Sequence, residues 1–239
     1  MGPARRKFCS IAQLRTELVR VFGFDECRGS TSGPCGSAAT RAFWTFRGKA
    51  QPCPTSCCWK RLWTTPPGSW ATSPPDQYGQ PTPCEGFDVQ ALANHLVAGN
   101  PYYVILAQGG GPDLSLFARD QIGDEQPGNV YARGAKEVLA AWQSEGALER
   151  HMPLPGAGLG PRIADLHLME AALHGWDLPT ATGQDRAGDP DAVRAATQIW
   201  YGNYPDEIRV PTGMFGPSRP VLDDAPALDR LAAYFGRAV

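Results

Sequence analysis

The sequence has no run of about eighteen consecutive apolar residues, the least a membrane-spanning helix needs, so none is predicted. It also lacks an excess of charge of either sign. Its 22 basic and 24 acidic residues among 239 leave a net charge of −2. That balance carries neither the basic footprint of a nucleic-acid binder nor an acidic tail. Histidine is scarce: the four are His95, His151, His167 and His174, and the first ninety residues have none. Six of the seven cysteines nevertheless lie before residue 60: Cys9, Cys27, Cys35, Cys53, Cys57 and Cys58. Without histidine, and with irregular spacing, they do not make a zinc finger. An odd count reads as free thiols in a reducing compartment rather than a disulfide framework. Arg5-Arg6-Lys7-Phe8 has the look of an export signal, but Gln13, Arg15, Glu17 and Arg20 break the apolar segment such a signal requires. The expected compartment is the cytoplasm. The glycine triplet Gly109-Gly110-Gly111 is followed by Pro112, with none of the Lys-Ser/Thr of a phosphate loop.

What the sequence does contain is organised around Pro161 to Leu178. Ile163, Leu166, Leu168, Met169, Leu173, Trp176 and Leu178 spread around most of a helical circumference, which predicts a helix in the middle of a core. Three residues of this helix bind metals or move protons: His167, Glu170 and His174. At about 100° per residue they project within one narrow sector. Glu170 and His174 are also i,i+4 neighbours whose side chains meet over one turn. A carboxylate buried without a partner costs several kcal/mol or is neutralised. This helix therefore calls for a counter-charge, and a metal ion is the obvious one.

Composition changes near residue 74. Upstream, Ile11 to Phe22 has the period of a short amphipathic helix, but Gly29 to Ser73 has none, with four tryptophans scattered among Arg, Pro, Cys, Gly and Ser. Downstream, the helices follow in order. Asp88 is an N-cap for a helix to about Gly99, with Val89, Leu92, Leu96 and Gly99 along one side and His95 beside that stripe. Val104 to Ala107 is a short separate apolar run. Further helices are predicted from about Val130 to Gln143, from Asp189-Pro190 to about Tyr201, and from Pro226 to Phe235 behind Asp223 or Asp224. No alternating strand pattern appears, so the predicted fold is all-α, a helical bundle.

Bundle cores hold metals through side chains from facing helices. His95 from one helix with Glu170 and His174 from another make a three-ligand set with an open position, the catalytic rather than the structural pattern for zinc. Other readings of the same residues stand beside it. His95 alone fits a satisfied histidine at a helix edge, and Glu170–His174 fits a simple ion pair. His167 can replace His95, at the cost of a cramped site on one helix. His151 sits in a Pro/Gly-rich loop and reads as exposed. Cys84 reads as a small turn residue or a reactive thiol. Asp177 reads as a helix-end cap or a group orienting a ligand, and Trp176 as packing.

The segment from Pro74 onward resembles the DinB-like four-helix metal-binding family typified by the N-terminal domain of mycothiol-dependent maleylpyruvate isomerase, most nearly its short single-domain actinobacterial members. The residues that carry the likeness are Thr82-Pro83-Cys84-Glu85-Gly86-Phe87-Asp88-Val89 leading to Asn94-His95-Leu96, and Glu170-x-x-x-His174-Gly175-Trp176-Asp177-Leu178 with Ala181-Thr182-Gly183. Phe215-Gly216-Pro217 and Asp224-Ala225-Pro226-Ala227-Leu228-Asp229-Arg230-Leu231 continue it. The resemblance implies a DinB-like four-helix bundle with additional C-terminal helices. It also implies a divalent metal, by default zinc, held by His95, Glu170 and His174. Mycothiol would be the thiol cosubstrate, with isomerisation or S-transfer on a small electrophile as the reaction. The isomerase's second domain has no counterpart after the tail, which leaves the reaction type open. A non-catalytic metal-binding bundle is the alternative. Expected partners are a small thiol and an electrophile, with neither nucleic acid nor membrane, and an open oligomeric state.

The family's first helix is apolar, whereas Pro54 to Ala71 is not a sequence a helix would choose. In the frame that starts at the third base of each codon, the Cys58–Trp59 junction reads Leu, Trp59–Lys60 Glu, Trp63–Thr64 Asp and Trp70–Ala71 Gly. The remainder of that frame permits an amphipathic helix. Residues 1–73 are therefore expected to be an atypical extension, disordered or out of frame, ahead of a metal-binding helical domain over 74–239. In the out-of-frame case the native first bundle helix is missing and the product is defective.

Overall fold

A computed structural model describes residues 75–152, 160–186 and 189–239. The expectations for residues 1–73, including the helix at Ile11 to Phe22 and the out-of-frame reading, lie outside the described residues. Within them the chain is all-α, a DinB-like helical bundle followed by further helices. Its α-helices are α1 (Val89–Ala107), α2 (Pro127–Trp142), α3 (Ile163–Thr182), α4 (Pro190–Asn203), α5 (Asp206–Arg209) and α6 (Ala227–Tyr234). Single 3-10 turns occupy Pro75–Gln77, Leu114–Ala118 and Val210–Thr212. None of the described helices is long and apolar enough to cross a membrane.

The helix α3 is central because its sequence leaves it no other place. Seventeen of its twenty residues are buried. It packs on α1 along one side and on α4 and α6 along another, while α2 lies against α1. Between Ile163 and Pro179 every residue is buried but one, Glu170. Burying an apolar helix all round is the expected outcome of a circumference without a polar face.

Boundaries moved where tertiary packing outweighed local signals. The first helix does not stop near Gly99. It runs through Pro101 to Ala107, absorbing Val104 to Ala107, because Tyr102, Tyr103, Leu106 and Ala107 continue its buried face. Asp88 does cap it, accepting from the Ala91 N–H at 2.8 Å. The second begins at Pro127 rather than Val130, proline fitting a first turn where the missing N–H has no helical partner. The central helix continues past Leu178 through Pro179 and ends at Gly183, whose φ of 68° is the left-handed stop that glycine supplies. Asp189 caps α4 as expected, accepting from the Ala192 N–H at 3.0 Å. Neither Asp223 nor Asp224 caps the last helix; Pro226 occupies that position and makes no side-chain cap bond.

His167 is a core residue, packed away from the group formed by His95, Glu170 and His174. Its Nδ1 accepts from the Trp142 Nε1–H at 3.0 Å, and its ring stacks on Tyr103 with centroids 4.1 Å apart. Burial pushes its pKa down to about 3, against a weaker upward pull from Glu170.

Two predictions follow from this packing. A Cβ at Gly134 in α2 would stand 2.8 Å from Asn100 Cβ in α1, whereas one at Gly202 would meet nothing within 4 Å. Overpacking costs about 1–3 kcal/mol, against a helix-propensity gain of about 1 kcal/mol at either site. Gly134→Ala should therefore melt below the wild type and Gly202→Ala at or above it; a Gly134→Ala protein that melts higher would show that α1 and α2 can separate freely. His167 tests the core through pH. Because its folded pKa lies below its unfolded one, its contribution is complete above about pH 6.5 and is lost as pH falls toward about 3, at about 1.4 kcal/mol per pH unit. His167→Gln should make the fall in stability across that window shallower by one proton's slope, read from denaturant melts; equal slopes would mean that His167 charges in the fold.

Candidate metal centre

Three stretches of chain build the site around α3. The turn before α1 is closed by Thr82, whose hydroxyl donates to the carbonyls of Cys84 and Phe87 at 3.1 and 2.9 Å. Gly86 takes a φ of 87° there, a conformation that costs glycine nothing. The turn sets the Phe87 ring edge-on to His95, centroids 5.5 Å apart. The loop after α1 folds back because Asn94 ties it: Asn94 Nδ2 donates to the Arg119 carbonyl at 2.9 Å, and Asn94 Oδ1 accepts from the Gln121 N–H at 2.7 Å. That loop brings Phe117 to 5.0 Å from the His95 ring. Two aromatic rings from two loops thus flank one imidazole.

His95 then meets α3. Its Nε2 lies 3.0 Å from Glu170 Oε2, and His174 Nε2 lies 3.1 Å from the same oxygen. The three ligand atoms are all within 4.8 Å of one another. The site is buried but not sealed: the side chains of His95 and Glu170 are 19% and 17% exposed, that of His174 8%. Helical spacing put Glu170 and His174 together, and the structure brings His95 to both.

Behind His174 stands Asp177. His174 Nδ1 lies 3.0 Å from Asp177 Oδ2, and Asp177 is fully buried. Arg237, which follows α6, grips the same carboxylate with two bonds of 2.9 Å, Nε to Oδ1 and Nη2 to Oδ2. Burial opposes the charge on Asp177, but the hydrogen bonds from His174 and Arg237 and their positive charges hold its pKa below the usual carboxylate range. Glu170 shows the same contest. Burial raises its pKa, and the His174 charge with hydrogen bonds from both histidines lowers it further than burial raises it. For His174, burial disfavours the imidazolium, while Glu170 and Asp177 on either side raise its pKa well above that of a free histidine. Cys84 lies beside this array, its sulfur within 4.8 Å of ligand atoms of His174 and Asp177. Burial pushes its thiol pKa up, against the His174 and Arg237 charges, so the thiol stays protonated.

These contacts test whether a cation fits. Ionised Asp177 only accepts, so His174 Nδ1 must carry a proton toward it. A neutral His174 would then present the Nε2 lone pair to Glu170 Oε2, another acceptor, at 3.1 Å. Two facing acceptors need a positive charge between them: a second ring proton or a metal ion. Two imidazole nitrogens and a carboxylate oxygen, with one imidazole backed by a second-layer carboxylate, are the donor set zinc prefers. The residues present fit a divalent metal.

Sequence reasoning gave less for the surroundings. His151 is exposed, in line with its loop. Trp176 is fully buried and donates to Asp229 Oδ1 at 2.6 Å, a packing role as expected. Asp177 is no helix-end cap, since the helix runs on to Thr182. Arg237 was not found at all: sixty residues separate it from Asp177, and no local spacing joins them.

Comparison with known proteins agrees with this architecture. The family model described as "Mycothiol maleylpyruvate isomerase N-terminal domain" matches residues 59–179. Two uncharacterized proteins, from two strains of Mycobacterium tuberculosis, are each 32% identical over 168 residues, covering 69% of this chain and 87% of the relative. No solved structure matches the chain. With half of its length matched by that model, including Glu170 and His174 as well as His95, the chain belongs to the mycothiol maleylpyruvate isomerase N-terminal domain family.

Proposed function

We propose that this protein binds one divalent metal ion, zinc by default, through His95, Glu170 and His174. It would use that ion with a small thiol, mycothiol by family, in isomerisation or S-transfer on a small electrophile. The observation that carries the reading is the convergence of two imidazole Nε2 atoms on one oxygen of Glu170, the single opening in the buried length of α3. An ion there supplies Lewis-acid chemistry, lowering the pKa of a bound thiol or water into the neutral range. The rest is done by the chain's own groups. Glu170 brings the negative charge, and His95 and His174 bring neutral nitrogen donors. Asp177 accepts the His174 Nδ1 proton and so leaves Nε2 free to ligate. Phe87 and Phe117 shield His95 from water on the loop side, while the partial exposure of His95 and Glu170 leaves a way in. A reducing cytoplasm, where both the cosubstrate and the Cys84 thiol would persist, is the fitting compartment.

A second reading, a non-catalytic bundle whose ion ties two helices together, draws on Cys84. Its sulfur lies within 4.8 Å of ligand atoms of His174 and Asp177, a group that shares only His174 with the three-ligand set. The Cys84 turn would have to shift toward His95 and Glu170 to supply a fourth donor and close the site as structural zinc sites are closed. Thiol-dependent turnover separates the two readings, since only the open site supports it.

The purified protein should hold one equivalent of zinc by elemental analysis and lose it in His174→Ala. Zinc at a hundredfold excess over its Kd should stabilise the wild type by about 2.7 kcal/mol and leave the variant unmoved. A folded wild-type protein that neither contains nor binds zinc, cobalt or manganese would remove the reading.

A further inference from the structure

The matched family domain ends at residue 179, yet the array behind His174 is completed by Arg237, which lies beyond it. The geometry points to Arg237 as a positioning residue for the metal centre: by gripping both oxygens of Asp177 it fixes the carboxylate that sets the His174 ring and its tautomer. The inference rests on the metal reading above and adds to it a role for the C-terminal helices.

Three observations place Arg237 in that role. First, its contact with Asp177 is bidentate, two parallel bonds of 2.9 Å to a carboxylate that is 0% exposed, and the arginine itself is only 11% exposed. A fork on a carboxylate fixes its plane as well as its charge. One of those oxygens, Oδ2, is also the one facing His174 Nδ1, so the plane set by Arg237 is the plane the imidazole reads.

Second, the segment carrying Arg237 is itself held. Gly236 has a φ of 86° and sits so close to Gly216 that a Cβ on it would fall 2.8 Å from Gly216 Cα. Arg219 clamps the same segment: its N–H donates to the Ala233 carbonyl at 2.9 Å and its Nε to the Gly236 carbonyl at 2.6 Å. Arg209, buried under the Tyr234 and Phe235 rings, donates to the Gly216 carbonyl at 2.8 Å and also to the Tyr234 carbonyl, joining the segments that carry Gly216 and Gly236. An exposed ion pair gains little, because its partners wander. The backbone of Arg237 is tied as well, through the Gly236 carbonyl that Arg219 grips and through its own N–H, which donates to the Ala232 carbonyl at 3.0 Å.

Third, α6 packs on α3 and α4, so the helix that delivers Arg237 bears on the helix that carries Glu170, His174 and Asp177. The helices α4 to α6 thus form a buttress for one ligand, rather than an appendage to a finished bundle.

The test compares zinc and cobalt affinities of the wild type, Asp177→Asn, Arg237→Lys, Arg237→Met and the double variant Asp177→Asn/Arg237→Met. Loss of a group that orients a ligand weakens metal binding by about ten- to a hundredfold. Arg237→Met should show that loss, and Arg237→Lys, which keeps the charge but not the fork, should recover part of it. The double variant should bind no more weakly than Asp177→Asn alone, because both substitutions break one chain of contacts. The cobalt d–d spectrum of Arg237→Met should change together with that of Asp177→Asn. A purely structural Arg237 would instead lower the melting temperature and leave affinity and spectrum as in the wild type, and affinity within twofold of wild type in Arg237→Met overturns the inference while the metal reading stands. If Arg237→Met does not fold, the double variant, which leaves no unpaired buried charge, decides: wild-type affinity there overturns the inference. A folded wild type that binds neither metal overturns the metal reading and, with it, this one.

Discussion

The whole arrangement depends on one negative charge kept inside a helix that has no polar face. Glu170 is the single residue between Ile163 and Pro179 that is not buried, and both imidazoles of the site converge on one of its oxygens. A buried carboxylate is tolerated only when paired and hydrogen-bonded. Once Glu170 is fixed, the rest is constrained. His95 must come from the neighbouring helix and His174 from one turn further along, and the positive charge between them must be shared as protons or supplied as a metal ion.

Charge alternates outward from that point. Glu170, His174, Asp177 and Arg237 form a line of opposite partners running from the opening of the site into the core and across to the segment after α6. Each member is held by its neighbour, and removing one leaves the next as an unpaired buried charge, which is costly. The opposite side of the site is apolar: Phe87 and Phe117 flank His95, and Tyr102 packs on Phe117 with centroids 5.1 Å apart. The Tyr102 hydroxyl, pushed up to about 12 by burial and by the Glu170 charge, stays neutral at physiological pH. Polar and apolar halves together make a site where a single ion would feel strong fields and little competing water.

How much of this could be read from the chain depends on the distance over which the signal acts. The central helix, its burial and the pairing of Glu170 with His174 follow from spacing within one segment, and the Asp88 and Asp189 caps are equally local. His95 needed the family resemblance, because its approach to α3 spans seventy-five residues. The passage of α1 through Pro101 was not legible, since it depends on Tyr102, Tyr103 and Leu106 finding partners on other helices. Asp177 showed the same limit from the other direction: on a helix thought to end at Leu178 it looked like a terminal group, and only the extension through Pro179 to Thr182 made it an interior partner of His174. Arg237 had no signal, because a long-range ion pair leaves no periodicity behind.

The central claim is an N/O-liganded ion with a position left for a thiol, and X-ray absorption at the zinc edge tests it most directly. Zinc-loaded protein should show a first shell of nitrogen and oxygen at about 2.0–2.2 Å without sulfur, and gain a sulfur at about 2.3 Å only when a small thiol is added. Sulfur in the shell before any thiol is added would mean that Cys84 closes the site, and would contradict an open, thiol-accepting centre.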